Sequence, residues 1–260
     1  MFRGTNKGSI MKIGSTELIG QNELKILVYG ESGSGKTSLA KTIGEPTLII
    51  SAEAGLLPLR SSKIDVIDIT KDDEGNLIPK ENRIKRLGEA YSYINSDEAR
   101  KKYKWVLIDS LSELSQNLVE QLQVEFPERK DSLVLYGELN KRTRSLVKTF
   151  RDLPGYNVIF TALSEVDKDE SGMRVIQPTM IGKFANQLPA LMDEVFYLHV
   201  EKNEETGDTR RVLVTQKSDR LIAKDRSGVL DKIEIADISV IAKKIRALSA
   251  DKQPKKEEKK

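Results

Sequence analysis

The sequence predicts an α/β fold in which a mostly parallel sheet lies between two layers of helices. Apolar runs of four to six residues recur along the chain, and such continuous runs are typical of strands buried on both faces. Segments with helical periodicity separate several of these runs. The last runs lie close together around the turn-rich stretch EKNEETGDTRR, which favours antiparallel strands added at one edge of the sheet.

The apolar runs are, in chain order, KILVYG, TLIIS, VIDI, WVLID, NVIFTA, VFYLHV, RVLVT and RLIAK. Helical periodicity is clearest over residues 112–126, 137–153 and 238–248. We therefore expect one domain spanning residues 23–248. Residues 1–22, which are rich in Gly, Ser and Thr, and the charged run 249–260 are predicted to be flexible extensions.

Composition limits the function classes. The chain has 260 residues and a net charge of +3, so any contact with a polyanion must come from local basic patches. It contains no cysteine and one histidine, His199, which excludes a disulfide framework and makes a zinc site improbable. No window approaches eighteen consecutive apolar residues and the N-terminus has no apolar signal region, so a cytoplasmic protein is predicted.

The segment LVYGESGSGKTSLAK carries a phosphate-binding pattern. Residues 30–37 read GxxxxGKT, follow the apolar run KILVY and lead into a short helix that should end near Gly44 and Pro46. The glycines allow successive backbone amides to face an anion, Lys36 would reach the β and γ phosphates of ATP, and the Thr37 hydroxyl would bind Mg²⁺. The predicted nucleotide-binding residues are Gly30, Glu31, Ser32, Gly33, Ser34, Gly35, Lys36, Thr37 and Ser38.

Two acidic residues at strand ends complete this predicted site. Asp109 ends the run WVLID and would hold Mg²⁺, with a helix-capping role as the alternative. Ser110 follows, where many ring-forming ATPases carry a glutamate, so another carboxylate must orient the attacking water. Glu53 lies at the end of a different strand and is the candidate for this role; the alternative is a solvated loop acid.

These motifs resemble those of the RecA/DnaB superfamily of ATPases, in which an Asp-Ser pair ends one strand and a catalytic glutamate follows an earlier one, as in SAEAG here. Among its members, the chain is most similar to phage RecA-like ATPases associated with single-strand annealing and recombination. The resemblance covers residues 25–235 and also rests on YGELNKR, PTMIGKFANQLPALMDEVFYL and LIAKDRSGVL. It implies a RecA-like three-layer αβα fold and ATP sites shared between neighbouring subunits of a homo-oligomer.

The resemblance also implies further site residues. The stretch AKDRSG is similar to the Lys-x-Arg pair that DnaB-type helicases extend into the ATP site of the next subunit, so Lys224 and Arg226 are candidate trans-acting residues; the alternative is a charged hairpin tip. Thr161 stands where the superfamily usually has a phosphate-sensing glutamine. It could donate one hydrogen bond to phosphate or water, or could simply be a β-branched strand residue.

Contacts with single-stranded DNA are expected on loops at the carboxyl ends of the strands. Candidate residues are Arg174 and Lys183 after the Thr161 strand, and Arg142 and Arg144 in ELNKRTRSLVKTFR; a solvated helix face is the alternative for the latter. Aromatic residues for base stacking are sparse, and Trp105 and His199 are interpreted as packing residues.

The sequence leaves three function classes open. The leading prediction is an oligomeric, ATP- and Mg²⁺-dependent ATPase that acts on single-stranded DNA in recombination, annealing or replication. The alternative is a nucleotide-gated assembly factor, such as a helicase loader or packaging accessory. A small-molecule kinase is disfavoured because the chain has no evident arginine-rich lid.

Overall fold

The computed structural model describes residues 23–53, 55–129, 133–168, 172–202 and 206–250. The predicted leader, residues 1–22, lies outside the described residues, as do residues 251–260 of the predicted tail. The first two residues assigned to that tail belong to the last helix, which ends at Ala250.

Among the described residues, ten strands form one sheet. In chain order they are β1 Lys25–Gly30, β2 Thr47–Ser51, β3 Asp65–Asp68, β4 Trp105–Asp109, β5 Asn157–Lys168, β6 Arg174–Thr179, β7 Glu194–Lys202, β8 Thr209–Val214, β9 Lys224–Asp225 and β10 Ile233–Ile235. The main order across the sheet is β10-β8-β7-β1-β5-β4-β2-β3, with β6 on β5 and β9 on β7. Strands β7, β1, β5, β4, β2 and β3 are parallel, whereas β6, β8, β9 and β10 pair antiparallel with their neighbours.

Helices cover both faces of this sheet. They are α1 Lys80–Ile94, α2 Asp97–Lys102, α3 Leu111–Glu125, α4 Leu133–Arg151, α5 Leu188–Leu191 and α6 Ile238–Ala250. One core contains residues of α1, α3 and α4, and the other contains residues of α6 and of the 3₁₀ helix Thr37–Thr42. The predicted three-layer αβα fold, with a mostly parallel sheet and antiparallel edge strands, is confirmed.

Strand β1 shows why the sheet is buried on both faces. Leu27 and Tyr29 belong to one core, while Ile26 and Val28 belong to the other. All four are fully buried, as expected for a central parallel strand whose side chains alternate between two covered faces. The carboxyl end of β1 is therefore a rigid platform at the middle of the sheet.

The structure corrects three sequence interpretations. Of the run RLIAK, residues 220–224, only Lys224 lies in a strand, the two-residue β9, and Leu221 forms isolated bridges. Leu221 and Ala223 are buried without belonging to a continuous ladder. Strands β6 and β10 and helix α1 were not predicted. His199 is exposed and stacks on Tyr197 with 5.9 Å between ring centroids, whereas Trp105 is fully buried, as a packing residue should be.

Candidate functional site

The glycine-rich segment, residues 30–38, hereafter the P-loop, leaves the carboxyl end of β1. Gly33 and Gly35 have φ values of 77° and 102°, a region that side chains rarely adopt. A Cβ atom at Gly30 would lie 2.7 Å from the carbonyl oxygen of Leu198, so this position also excludes a side chain. The loop then enters the 3₁₀ helix Thr37–Thr42, and Gly44 follows with φ 73°, close to the predicted helix end.

Lys36 is directed into the P-loop. Its Nζ donates to the carbonyl oxygen of Gly30 at 3.0 Å and to that of Glu31 at 2.8 Å. Burial lowers the pKa of this ammonium, while the nearby charges of Glu53 and Asp109 oppose that shift. The lysine is thus a buried cation held by carbonyls that a phosphate could replace as its partners.

Asp109 lies at the carboxyl end of β4 and receives two hydroxyl donors. Thr37 Oγ1 donates to its Oδ2 and Thr161 Oγ1 donates to its Oδ1, each at 2.5 Å. Strand β5, which carries Thr161, lies between β1 and β4, so the sheet order itself brings these three residues together. The fully buried Thr161 hydroxyl is directed at Asp109 and at the carbonyl oxygen of Ile108.

Glu53 follows β2 and is held beside the same site. Ser51 is opposite Asp109 in the register of β2 and β4. The Ser110 hydroxyl donates to Glu53 Oε1, and Ser51 Oγ donates to the Glu53 carbonyl oxygen at 2.6 Å. Both the side chain and the backbone of Glu53 are thereby oriented by neighbouring serines. Sequence reasoning identified Ser110 only as a missing glutamate and did not recognise its contact with Glu53.

Lys224 and Arg226 lie at the opposite end of the sheet from the P-loop. In β9, Lys224 and Asp225 pair with Val195 and Glu194, and Glu194 is level with Ile26 of β1. Four residues of β1 separate that level from Gly30, about 13 Å at the usual rise of a strand. These side chains therefore cannot complete the site of their own chain.

Both cations have partners within the chain. Lys224 Nζ donates to the carbonyl oxygens of Met192 at 2.6 Å and Pro189 at 3.4 Å. Arg226 forms an ion pair with Asp193 at 2.6 Å, and its side chain remains 57% exposed. Arg226 is thus the more accessible of the two for a neighbouring molecule.

The four residues predicted to contact DNA differ in their partners and exposure. Arg142 is paired with Glu125 at 2.7 Å and with Glu138 at 3.0 Å, and Arg144 donates to Gln187 and lies over the Phe184 ring. These pairs favour the alternative of a charged helix face for α4. Arg174 begins β6 and is exposed, whereas the side chain of Lys183 lies outside the described residues.

The site residues fit a triphosphate with a divalent cation. The buried Ser34 hydroxyl has no hydrogen-bond partner within the described part of the chain, and it lies inside the glycine-rich loop. The Thr37 hydroxyl and the Asp109 carboxylate supply the oxygen ligands that Mg²⁺ prefers. Within the described ranges, no cluster of three or more His, Cys, Asp or Glu residues could hold another metal ion. No helix in those ranges is long and apolar enough to cross a bilayer.

Comparison with known proteins agrees with this site. A family model described as an AAA domain matches residues 22–227. No curated protein sequence matches the chain. A KaiC-like protein of the hyperthermophilic archaeon Pyrococcus horikoshii OT3 is 17% identical, with a TM-score of 0.41 over 75% of this chain and 79% of the other.

A second solved structure is similar at a comparable level. It is an ATPase from the type III secretion system of pathogenic bacteria, 15% identical, with a TM-score of 0.43 over 68% of this chain and 52% of the other.

Proposed function

We propose that this chain, which belongs to the AAA domain family, is an ATPase. Its proposed active site is the P-loop together with Asp109 and Glu53. The observation that supports this most directly is the arrangement around Asp109. Its carboxylate accepts hydroxyl hydrogen bonds from the P-loop and from β5, and Glu53 is held close enough for its charge to act on Lys36. A site with only a structural role would have no need of a buried lysine beside two carboxylates.

Each residue has a defined part in this proposal. P-loop amides and Lys36 bind the phosphates, with Lys36 exchanging the carbonyl oxygens of Gly30 and Glu31 for phosphate oxygens. Mg²⁺, when bound between Thr37 and Asp109, would neutralise charge on the phosphates. Glu53 orients the attacking water and accepts its proton, and Ser110 fixes the direction of that carboxylate.

The active site is proposed to be shared between copies of the chain. Because Arg226 is exposed and lies far from its own P-loop, it can contact a nucleotide only in a neighbouring copy. Lys224 would act from the same segment, although it must first leave the carbonyls of Met192 and Pro189. This predicts a homo-oligomer whose ATPase rate per chain rises with protein concentration.

Single-stranded DNA is the proposed partner, and the β5–β6 hairpin is its proposed contact. Strand β5 runs from Thr161, which contacts Asp109, into the hairpin, whose pairing begins at Leu163 and Thr179. The hairpin continues to exposed residues that include Val166 and Arg174. The assignment to phage RecA-like proteins of recombination and annealing belongs to the same proposal and rests on the motifs of the sequence.

ATPase rates with and without single-stranded DNA, over a series of salt concentrations, test these proposals together. Lys36→Ala should abolish turnover, and DNA should stimulate the wild-type rate less as salt rises, because phosphate contacts release counterions. Arg174→Glu should weaken that stimulation, whereas Arg210→Glu, which changes charge on a different hairpin, should not.

The outcomes separate the two function classes. Turnover that does not respond to DNA, with no DNA binding at low salt, would contradict the DNA proposal and favour a nucleotide-gated assembly factor. Wild-type protein that binds ATP and magnesium but never hydrolyses it would contradict the catalytic role of Glu53.

A further inference from the structure

Arg211 of β8 lies against the backbone of the P-loop. Its Nε donates to the carbonyl oxygen of Ser34 at 2.9 Å. A Cβ atom built on Gly35 would lie 2.5 Å from the same nitrogen, so the guanidinium packs directly on the loop backbone. The two residues of this hydrogen bond are 177 positions apart in the chain. The GxxxxGKT pattern neither requires nor predicts such a contact.

Two cationic side chains, Lys36 and Arg211, therefore hold carbonyl oxygens of the P-loop. Lys36 binds the carbonyl oxygens of Gly30 and Glu31 from within the loop. Arg211 binds the carbonyl oxygen of Ser34, in the half of the loop that leads to Lys36. When backbone amides turn inward towards an anion, carbonyls of the same loop face outward and require partners of their own.

Lys36 and Arg211 should differ in whether they keep their carbonyl partners when phosphate binds. In the proposed function, Lys36 turns to the phosphates and leaves its two carbonyl partners. Arg211 binds a different carbonyl oxygen, that of Ser34, so its contact need not be given up when Lys36 turns to the phosphates. Arg211 would then be the cation that still holds the loop backbone once nucleotide is bound.

The backbone of Arg211 is hydrogen-bonded on both sides within the sheet. Arg211 is opposite Val200 of β7 in the β7–β8 register, and the backbone amide of Ala236, which follows β10, donates to its carbonyl oxygen at 3.3 Å. The backbone at Arg211 is therefore fixed on both sides, and only the side chain has to be ordered when it makes its contact. The loop is thus attached to the antiparallel edge of the sheet as well as to β1.

We propose that Arg211 is a positioning residue that keeps the P-loop in its anion-binding shape and so raises its affinity for nucleotide phosphates. This inference rests on the proposed function for the identity of the ligand. It adds a residue outside the loop motif, on the β7–β8 hairpin, to the determinants of nucleotide binding.

Arg211→Ala tests this role, and Arg210→Ala is its matched control. Arg210 is the preceding residue of β8, its side chain is 75% exposed, and it pairs with Glu201 at 2.7 Å on the surface. Loss of a hydrogen bond from a charged group predicts that Arg211→Ala raises the dissociation constant for ADP about tenfold. The control should change it by less than about twofold, because exposed ion pairs contribute little. Arg211→Lys, which can still donate to the Ser34 carbonyl, should restore part of the affinity.

Amide hydrogen exchange of residues 30–38 in nucleotide-free protein provides a second readout that requires neither binding nor turnover. Exchange should be faster in Arg211→Ala than in Arg210→Ala. Equal exchange in the two variants would overturn the proposal, even if the wild type proves to be an ATPase. A lowered melting temperature with unchanged ADP affinity would also overturn it, since that result indicates a purely structural contact. An inactive wild type whose P-loop exchange still depends on Arg211 would contradict the proposed function alone.

Discussion

Replacement of Thr161 by valine separates two roles for this residue. A phosphate sensor would change how the protein distinguishes ATP from ADP, and it would leave nucleotide-free protein unaffected. The structure instead shows the Thr161 hydroxyl donating to Asp109 at 2.5 Å in a fully buried position. Valine keeps the shape of threonine and removes this donor, so nucleotide-free protein should be destabilised.

The magnitude follows from two opposing contributions. Loss of a hydrogen bond to a charged group costs about 1.5–3 kcal/mol. Burial of a methyl group in place of the hydroxyl returns about 0.8 kcal/mol. The free energy of unfolding should therefore fall by about 1–2 kcal/mol, which for a domain of this size corresponds to a melting temperature about 2–8 °C lower.

Thr143→Val is the matched control for this substitution. Thr143 is also buried, with 1% exposure, but its hydroxyl has no hydrogen-bond partner within the described part of the chain. The same chemical change should therefore be neutral or stabilising there. Thermal melts of both variants without nucleotide provide the measurement. If Thr161→Val melts no lower than Thr143→Val, the role assigned to Thr161 as a support for Asp109 is wrong.

Three further predictions concern catalysis and pH. Glu53→Gln should reduce ATP turnover about 10²- to 10⁴-fold and leave ATP affinity nearly unchanged, because the general base is lost while the P-loop is intact; weak ATP binding in this variant would argue against that role. Arg226→Ala should abolish hydrolysis with nucleotide affinity altered only a few-fold, and mixing it with Lys36→Ala protein should restore activity if the site is shared; unchanged turnover of the single variant would exclude the trans role. Burial and the neighbouring charge of Asp225 raise the pKa of Glu194 from 4.5 to about 8, so the folded chain retains a proton that the unfolded chain releases. The free energy of unfolding should consequently fall as pH rises from about 4.5 to 8, and Glu194→Gln should flatten that slope in thermal melts; parallel slopes would contradict the assignment.

The sequence predicted the parts of the fold that depend on local patterns. The runs KILVYG, TLIIS and WVLID coincide with β1, β2 and β4 because central parallel strands are apolar without interruption. Helix α1 was missed because only three of its residues are buried. The helical periodicity of its apolar residues is therefore weak in a highly charged segment. Strand β6 contains a proline and lies in a protruding hairpin, where the usual strand signals are weak.

The site was predictable to the extent that its chemistry is encoded in short motifs. The glycine pattern indicated the P-loop, and the strand ends indicated Asp109 and Glu53. The structure brings these residues together at the carboxyl ends of β1, β4 and β2. The partners of these groups could not be predicted, because they come from distant segments. Thr161 contacts Asp109 across 52 positions of sequence, and no local signal indicates which acceptor a buried hydroxyl will find.

Strand β5 gives the molecule a mechanical property. It is continuous from Asn157 to Lys168, so Thr161, which touches Asp109, and Lys168, at the end of the protruding hairpin, belong to one unbroken strand. Lys168 is seven positions beyond Thr161, about 23 Å at the usual rise. A displacement of Lys168 can therefore be transmitted to the hydroxyl that donates to Asp109 along one strand, without passing through a loop.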